Sequence, residues 1–243
     1  MKTIAMIPAR YAATRFPGKL MHMIGDKTII RHTYENTVAT RLFDEVIVVT
    51  DSVIIFKEII QNGGYALMSR NSHESGSDRI AEAVADIEVD IVLNVQGDEP
   101  FLKKESLQKL LAVFKGGEGK DIQVASLMKI ISENDLITDP NCVKVVVDRN
   151  MNSLLFSRSV IPYPRDKDVQ IIYYQHVGVY AFRKNALINF TTWPITPLEA
   201  SEKIECLRYL EHGILLKMVL TEYDGISIDT PGDLEKAKAF YSV

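Results

Sequence analysis

Blocks of apolar residues recur along this chain at two different periods. Ile4–Ile7 is a continuous apolar run that stops at Pro8, and it predicts a short buried strand, because proline has no N–H to give a ladder. Thr28–Thr40 has helical spacing, with Ile29, Ile30, Thr33, Tyr34 and Thr37 on one side. Glu45–Thr50 (EVIVVT) is apolar and β-branched, a second buried strand that ends at Asp51. Asp51 or Ser52 caps a helix to about Gln61, which Asn62-Gly63-Gly64 stops. Tyr65–Met68 is a third strand, Ser77–Ala85 a helix, Asp90–Val95 a further buried strand, and Lys104–Phe114 a helix before the turn Gly116–Gly119. Strand and helix in alternation predict an α/β, Rossmann-like, mostly parallel sheet with helices on both faces. Ligands on such sheets sit beyond the carboxyl ends of the strands, where Arg10–Lys19 and Gln96–Glu99 both fall.

The pattern changes near residue 121. Ile122–Ile130, Val143–Asp148, Asn152–Phe156 and Tyr173–Phe182 are strand-like, with little helix between them, and Ile161–Asp168 is a proline-bearing loop. This region reads as an antiparallel extension that covers the site. Helices Arg183–Thr191 and Leu198–His212, a strand near Leu215–Thr221 and a last helix Pro231–Tyr241 follow. The expectation is one domain over 1–243, with a parallel part at about 1–120 and 222–243 and the extension at about 121–221.

Composition narrows the function classes. A chain of 243 residues, 47% hydrophobic and 25% charged, suits a soluble globule with a sizeable core. A net charge of −4 argues against a nucleic-acid-coating protein, so local cations serve a local anion. No apolar run approaches a membrane span, the first apolar run is too short for a secretory signal, and Cys142 and Cys206 have no metal-site spacing. A cytoplasmic location is expected.

Two stretches carry candidate chemistry. Arg10, Arg15 and Lys19 are spaced along a small-residue loop after the first strand, which suits a polyphosphate and equally describes a solvated basic loop. In NVQGDEP a buried strand runs into Asp98, a natural Mg²⁺ ligand opposite a phosphate loop, or a turn residue. Asp229, in SIDTPGD, is a second candidate ligand, although Asp-Thr-Pro also suits a helix cap with Thr230 at the cap. Ser75, Gly76 and Ser77 put hydroxyls and N–H groups at a helix start, a place for anions or base edges, or a plain cap. Arg79 in the first turn opposes the helix dipole, which hints at a ligand contact. His22, His32, His73 and His212 have no supporting partners in the sequence. His176, Gly178 and Tyr180 alternate on one strand face, a polar wall or a satisfied histidine in a sheet. Glu202, Glu205, Cys206 and Tyr209 share a face of the expected long helix, which can bind sugar hydroxyls or be solvated.

Taken in order, IPARYAATRFPGK, HESGSDR, NVQGDEPF, PNCVKVVVD, LFSRSVIPYPRD, QHVGVYAFR, LEASEKIECLRYLEHG and IDTPGDLEKA span nearly the whole chain. The ordered set resembles the 3-deoxy-manno-octulosonate (Kdo) cytidylyltransferases. The resemblance implies transfer of CMP from CTP to Kdo with release of pyrophosphate, Mg²⁺ as cofactor, and a homodimer for which the extension mediates contact. It implies that the parallel part binds nucleotide and the extension binds sugar. Arg10, Arg15 and Lys19 would hold the triphosphate, with Arg10, Lys19, Asp98 and Asp229 as the catalytic set. Ser75, Gly76 and Arg79 would lie against the cytidine, Gln96 between nucleotide and sugar, and Mg²⁺ on Asp98 and Asp229. Arg158, His176, Tyr180, Glu205 and Cys206 would line the sugar pocket. Cys206 stands where the family usually has Gln, Leu20-Met21 where Pro-Leu is usual, and Ala13 where Ser is common. These departures bear on the choice of sugar acid, with 8-amino-Kdo or a nonulosonic acid as the alternatives. A nucleotide-binding module without catalysis is the competing class, and a pure binder has less need of two metal carboxylates.

Overall fold

A computed structural model of the chain describes residues 1–12, 16–70, 73, 75–166, 168–222 and 226–241. In chain order the elements are β1 (Thr3–Ala9), β2 (Met23–Ile24), β3 (Lys27–Thr28), α1 (Ile29–Ala39), β4 (Glu45–Thr50), α2 (Val53–Gln61), β5 (Ala66–Met68), α3 (Gly76–Val84), β6 (Ile91–Asn94) and α4 (Lys104–Ala112). They continue as β7 (Val124–Ile130), α5 (Asn134–Thr138), β8 (Lys144–Val147), β9 (Ser153–Ser157), β10 (Tyr174–Arg183), α6 (Lys184–Thr192), α7 (Pro197–Glu202), α8 (Leu207–Glu211), β11 (Leu216–Leu220) and α9 (Pro231–Tyr241). The chain divides into two compact units, Met1–Leu107 with Asp224–Val243, and Gln108–Tyr223. No helix among the described residues is long and apolar enough to cross a membrane.

The first unit is built on a parallel sheet in the order β6-β1-β4-β5. Every residue of β1 is buried, so both of its faces are covered, as a parallel sheet requires. Thr28 caps α1 by accepting from Arg31 N–H, and Ser52 caps α2 by accepting from Ile55 N–H, so Ser52 and not Asp51 takes that position. The apolar sides of these helices, including Ile29, Ile30, Ile55 and Ile59, are buried.

Pro8 was expected to end the first strand, but β1 runs on to Ala9 and Pro8 stands opposite Val49 of β4. The reason is alternation. Met6 turns its carbonyl to Val95 N–H on the β6 side, so Pro8 also faces that side, where the β1–β6 ladder has stopped at Met6. The missing N–H therefore costs no ladder bond, while Ala9 continues against Thr50.

The second unit has a different plan. β7 pairs parallel with β11 and antiparallel with β10; β8 pairs antiparallel with both β10 and β9. A bridge from Asn152 to Lys217, with Met218 N–H on the Met151 carbonyl at 2.7 Å, returns the β9 end to β11. The antiparallel character expected here is present, together with one parallel pair and the short helix α5, which the sequence pattern did not suggest.

The long helix expected over Leu198–His212 is two short ones. The chain leaves α7 at Lys203, in the left-handed region at φ 53°, and re-enters a helix at Leu207. Side chains from β9 explain the break. The Glu202 carboxylate accepts from Ser157 Oγ at 2.6 Å and Arg158 N–H at 2.9 Å, and Arg158 donates to the carbonyls of Glu202, Lys203 and Pro140. Helix-end carbonyls are thereby satisfied without a further helical turn. A buried Arg208–Glu199 pair, with both hydrogen bonds at 2.6 Å, ties α8 back to α7. The face shared by Glu202, Glu205, Cys206 and Tyr209 therefore does not exist as a helical stripe.

Lys144 sits behind that turn with no solvent exposure. Its ammonium donates to the carbonyls of Asp139, Cys142 and Arg158 at 2.9, 2.6 and 2.6 Å, which uses all three N–H groups. Burial pulls its pKa below the ordinary lysine value, and the three carbonyl acceptors favour the charged form. Replacing Lys144 with Met strands the Cys142 and Arg158 carbonyls, while the Asp139 carbonyl keeps the Cys142 N–H at 3.2 Å. We expect a loss of about 3–5 kcal/mol, read as a lower urea midpoint. An unchanged midpoint would show that water satisfies those carbonyls.

Candidate active site

The carboxyl edge of the parallel sheet in the first unit opens into a cavity of about 320 Å³. The chain turns outward from β1 to β4 and β5, then returns to place β6 on the other side of β1, and this switch creates the crevice. Along its β6 side the loop after β6 is fixed by α1. Thr33 Oγ1 donates to the Gly97 carbonyl at 2.8 Å and Asn36 to the Pro100 carbonyl at 2.5 Å. Gly97 lets this loop pack closely, since a Cβ there would lie 3.2 Å from both the Pro8 carbonyl and a Leu20 methyl, tighter than an ordinary contact. Ile228 N–H donates to the Asp98 carbonyl at 3.1 Å, which brings Asp229 beside Asp98.

Lys19 joins the two. Its ammonium bonds the Asp98 carboxylate and lies 3.0 Å from Asp229 Oδ1. Burial lowers the pKa of this amine, but the charge of Asp98 and hydrogen bonds to both carboxylates outweigh that and hold it above the ordinary value. Thr230 caps α9 in exchange with Asp233, so the cap reading and the site reading of this segment are both realised, by different residues. Because Asp98 and Asp229 reach one cationic partner, both are within reach of a single cation. Among the described residues no cluster of three or more His, Cys, Asp or Glu forms a cation cage. Two carboxylates beside a basic rim fit a hard divalent cation shared with phosphate oxygens.

The other expected residues of this unit divide in two. Arg10 is exposed at the mouth of the cavity, and Gln96 lines it while donating to Asn94 Oδ1 at 3.3 Å. Arg15 lies outside the described residues, as does Ala13. Ser75 and Arg79 also line the cavity but are committed elsewhere. Ser75 forms a capping box with Asp78, so α3 starts at Gly76 and not at Ser77. Arg79 is 4% exposed and donates to Ser69 Oγ at 2.5 Å and Asp51 Oδ2 at 2.8 Å, tying α3 to the ends of β4 and β5. That pairing explains a cation in a first helical turn. Gly76 passes so close to Pro8 that a Cβ would meet its ring at 3.1 Å.

Sequence reasoning missed His73. It lines the cavity, and its Nε2 lies 2.5 Å from Glu82 Oε2. Burial raises the Glu82 pKa, but hydrogen bonds from Arg70 N–H and His73 outweigh it and keep the carboxylate ionised. The spacing of His73 and Glu82, residues nine apart across a loop and a helix, gives no periodic signal.

In the second unit the structure brings His176, Tyr180 and Cys206 together. The His176 and Tyr180 rings meet edge to face at 5.4 Å, on one strand face despite a bulge between Val177 and Tyr180. His176 Nε2 lies 2.9 Å from Ser126 Oγ, which donates on to the Val179 carbonyl. Cys206 is 2% exposed and its thiol is hydrogen-bonded to Tyr180; burial pushes both groups up in pKa. Arg158, expected to meet the sugar's carboxylate, spends three of its five donors on carbonyls and among the described residues keeps two.

Comparisons with known proteins show the family. A cytidylyltransferase family model matches residues 4–219. The chain belongs to the cytidylyltransferase family. Among relatives of this cytidylyltransferase, the 3-deoxy-manno-octulosonate cytidylyltransferase of Flavobacterium johnsoniae is 61% identical over 98% of both chains. The enzyme of that name from Christiangramia forsetii is 54% identical over 99% of this chain and 97% of its own. A solved structure of CMP:2-keto-3-deoxy-manno-octonic acid synthetase complexed with CTP is 38% identical and aligns over 100% of this chain and 99% of its own, with TM-score 0.94. The 4-diphosphocytidyl-2C-methyl-D-erythritol synthase of Anaerococcus prevotii, at 19% identity and TM-score 0.64, shares the fold.

Two measurements probe these clusters. Lys19→Met leaves two carboxylates facing an incoming triphosphate without their cation, and should weaken CTP binding about tenfold or more in a calorimetric titration. An unchanged dissociation constant would remove Lys19 from the nucleotide site of this cytidylyltransferase. Burial lowers the His176 pKa from 6.5 to about 4. The unfolded chain therefore takes up this proton near pH 6.5 and the folded chain only near pH 4. Stability should fall with acidification across that interval by up to about 3 kcal/mol, and His176→Phe should flatten that slope in urea unfolding.

Proposed function

We propose that this cytidylyltransferase transfers CMP from CTP to the anomeric hydroxyl of Kdo, giving CMP-Kdo and pyrophosphate. The observation that carries the proposal is the convergence of Asp98 and Asp229 on Lys19 at a cavity whose mouth carries Arg10. It occurs in a chain alignable from end to end with a CTP complex of a CMP-Kdo synthetase. The relatives' shared name supports Kdo as the acceptor.

The chemistry follows from charge. A triphosphate repels an oxygen nucleophile, and Arg10, Arg15 and Lys19 neutralise it and stabilise the departing pyrophosphate. Asp98 and Asp229 would hold Mg²⁺, which when bound supplies positive charge to the phosphates and acidity to the sugar hydroxyl. The anomeric oxygen attacks the α-phosphorus in line as the bond to the β-phosphate oxygen breaks, with no covalent enzyme intermediate. Ser75, Gly76 and Arg79 lie against the nucleoside end as a wall fixed by the bonds of Ser75 to Asp78 and of Arg79 to Asp51 and Ser69, and Gln96 lies between nucleotide and sugar. The second unit contributes the sugar contacts: His176, Tyr180 and Glu205 to hydroxyls, and the two remaining N–H groups of Arg158 to the carboxylate. Cys206 acts from behind Tyr180, as its partner in a hydrogen bond. The working form in this proposal is a cytoplasmic homodimer joined through the second unit, feeding lipopolysaccharide or capsule synthesis.

The test is pyrophosphate release from CTP with Kdo, 8-amino-Kdo and a nonulosonic acid. Kdo should give the highest kcat/KM. Preference for another acid would reassign the acceptor, and no turnover with any would favour a binding module. Asp98→Asn should retain the fold and lower turnover by at least about 10²-fold, since several kcal/mol of charge stabilisation is lost. Near-native turnover of that variant at saturating Mg²⁺ would remove Asp98 from the cation site.

A further inference from the structure

The cavity has two chemically different ends, and only one of them is explained by phosphate. Across the sheet order β6-β1-β4-β5, Asp98 follows β6 and Arg10 follows β1, while His73 belongs to the segment after β5. A nucleoside triphosphate placed with its phosphates at the Arg10, Lys19 and Asp98 end extends its base toward His73. On that placement, which rests on the nucleotide reading above, the base meets a histidine whose hydrogen-bonding polarity is already set.

Glu82 sets it. The carboxylate accepts Arg70 N–H at 2.7 Å and takes one ring nitrogen of His73 at 2.5 Å. A carboxylate only accepts, so the nitrogen bound to it carries the hydrogen whichever way the ring is turned. In the neutral ring the other nitrogen is then a lone-pair acceptor. The ring is 15% exposed and stands on the cavity wall, and among the described residues it has no other hydrogen-bond partner. Cytosine carries a 4-amino donor where uracil carries a 4-oxo acceptor.

We infer that His73, oriented by Glu82, accepts a hydrogen bond from the 4-amino group of the pyrimidine and so makes the enzyme select CTP over UTP. His73 is a specificity residue in contact with substrate, and Glu82 is a positioning residue that acts through it. A uracil at the same place sets two acceptors against each other, and a site built for one donor rejects the analogue that lacks it more strongly than an apolar pocket would.

The experiment compares CTP with UTP, and with a CTP analogue lacking the 4-amino group, for the native protein and for H73F and H73Q. Binding is read by calorimetry and kcat/KM by pyrophosphate release. The native protein should bind CTP at least about tenfold more tightly than either competitor. H73F, which keeps a ring and loses the acceptor, should reduce that CTP/UTP ratio about 5- to 30-fold, with the KM for the sugar acid unchanged. H73Q should retain most of the ratio, because an amide can donate to Glu82 and accept from the base. A ratio in H73F within about twofold of native, or a native protein that binds the deaminated analogue as well as CTP, overturns the inference. The analogue comparison needs no variant, so a misfolded H73F does not protect the idea. If the native protein binds CTP selectively but releases no pyrophosphate with any sugar acid, the proposed reaction fails while the base-reading role stands.

Discussion

The site in the first unit depends on one ion cluster, in which a single lysine is shared by two carboxylates. Lys19 and Asp229 are separated by 210 positions in sequence, and Asp98 lies between them. Three separate devices set the distance. A glycine admits the Asp98 loop against Pro8, two α1 side chains hold the carbonyls on either side of it, and one main-chain bond from Ile228 registers the Asp229 segment. None of these contacts touches a phosphate, yet each fixes where charge can be placed. Like charges at this distance would repel in the absence of a cation, so the cluster is stable only with one between them.

The second unit solves a different problem, that of ending a helix early. α7 stops because its last carbonyls find Arg158, whose own carbonyl is held by Lys144. Lys144 is buried and Arg158 half-buried, and both act as multi-armed donors to main-chain carbonyls. The result places Cys206 at the start of a new helix with its thiol on Tyr180, and fixes the ring that faces His176.

What could be read from sequence follows from this contrast. The main strands and helices of the parallel unit were legible because each is an apolar block with a local cap or stop, and their order alone gives the crevice; the two-residue strands β2 and β3 were not. Asp98 was legible as a carboxylate just beyond a buried strand, whereas the apolar run before Asp229 is not a strand in the structure, and Asp229 became a strong candidate only through the family resemblance. Three features were not legible: the break at Lys203, the commitment of Arg79 to Asp51 and Ser69, and the pairing of His73 with Glu82. Each is decided by a tertiary partner that no period of two or 3.6 encodes. Helical spacing over Leu198–His212 is a real pattern, and it was overridden by side chains from a strand more than forty residues earlier.

Pro8 has a consequence of its own. Where two neighbouring strands part to make room for a ligand, the residue just past the last rung normally carries an N–H that must find water or another acceptor. At Pro8 there is no such hydrogen, so β1 and β6 can separate beyond Met6 without a stranded donor in the floor of the cavity. The imide ring also fixes φ at that point and packs toward Gly76. The crevice floor is thus electrically quiet on its donor side and stiff, and the hydrogen bonding of a bound molecule is left to the side chains around it.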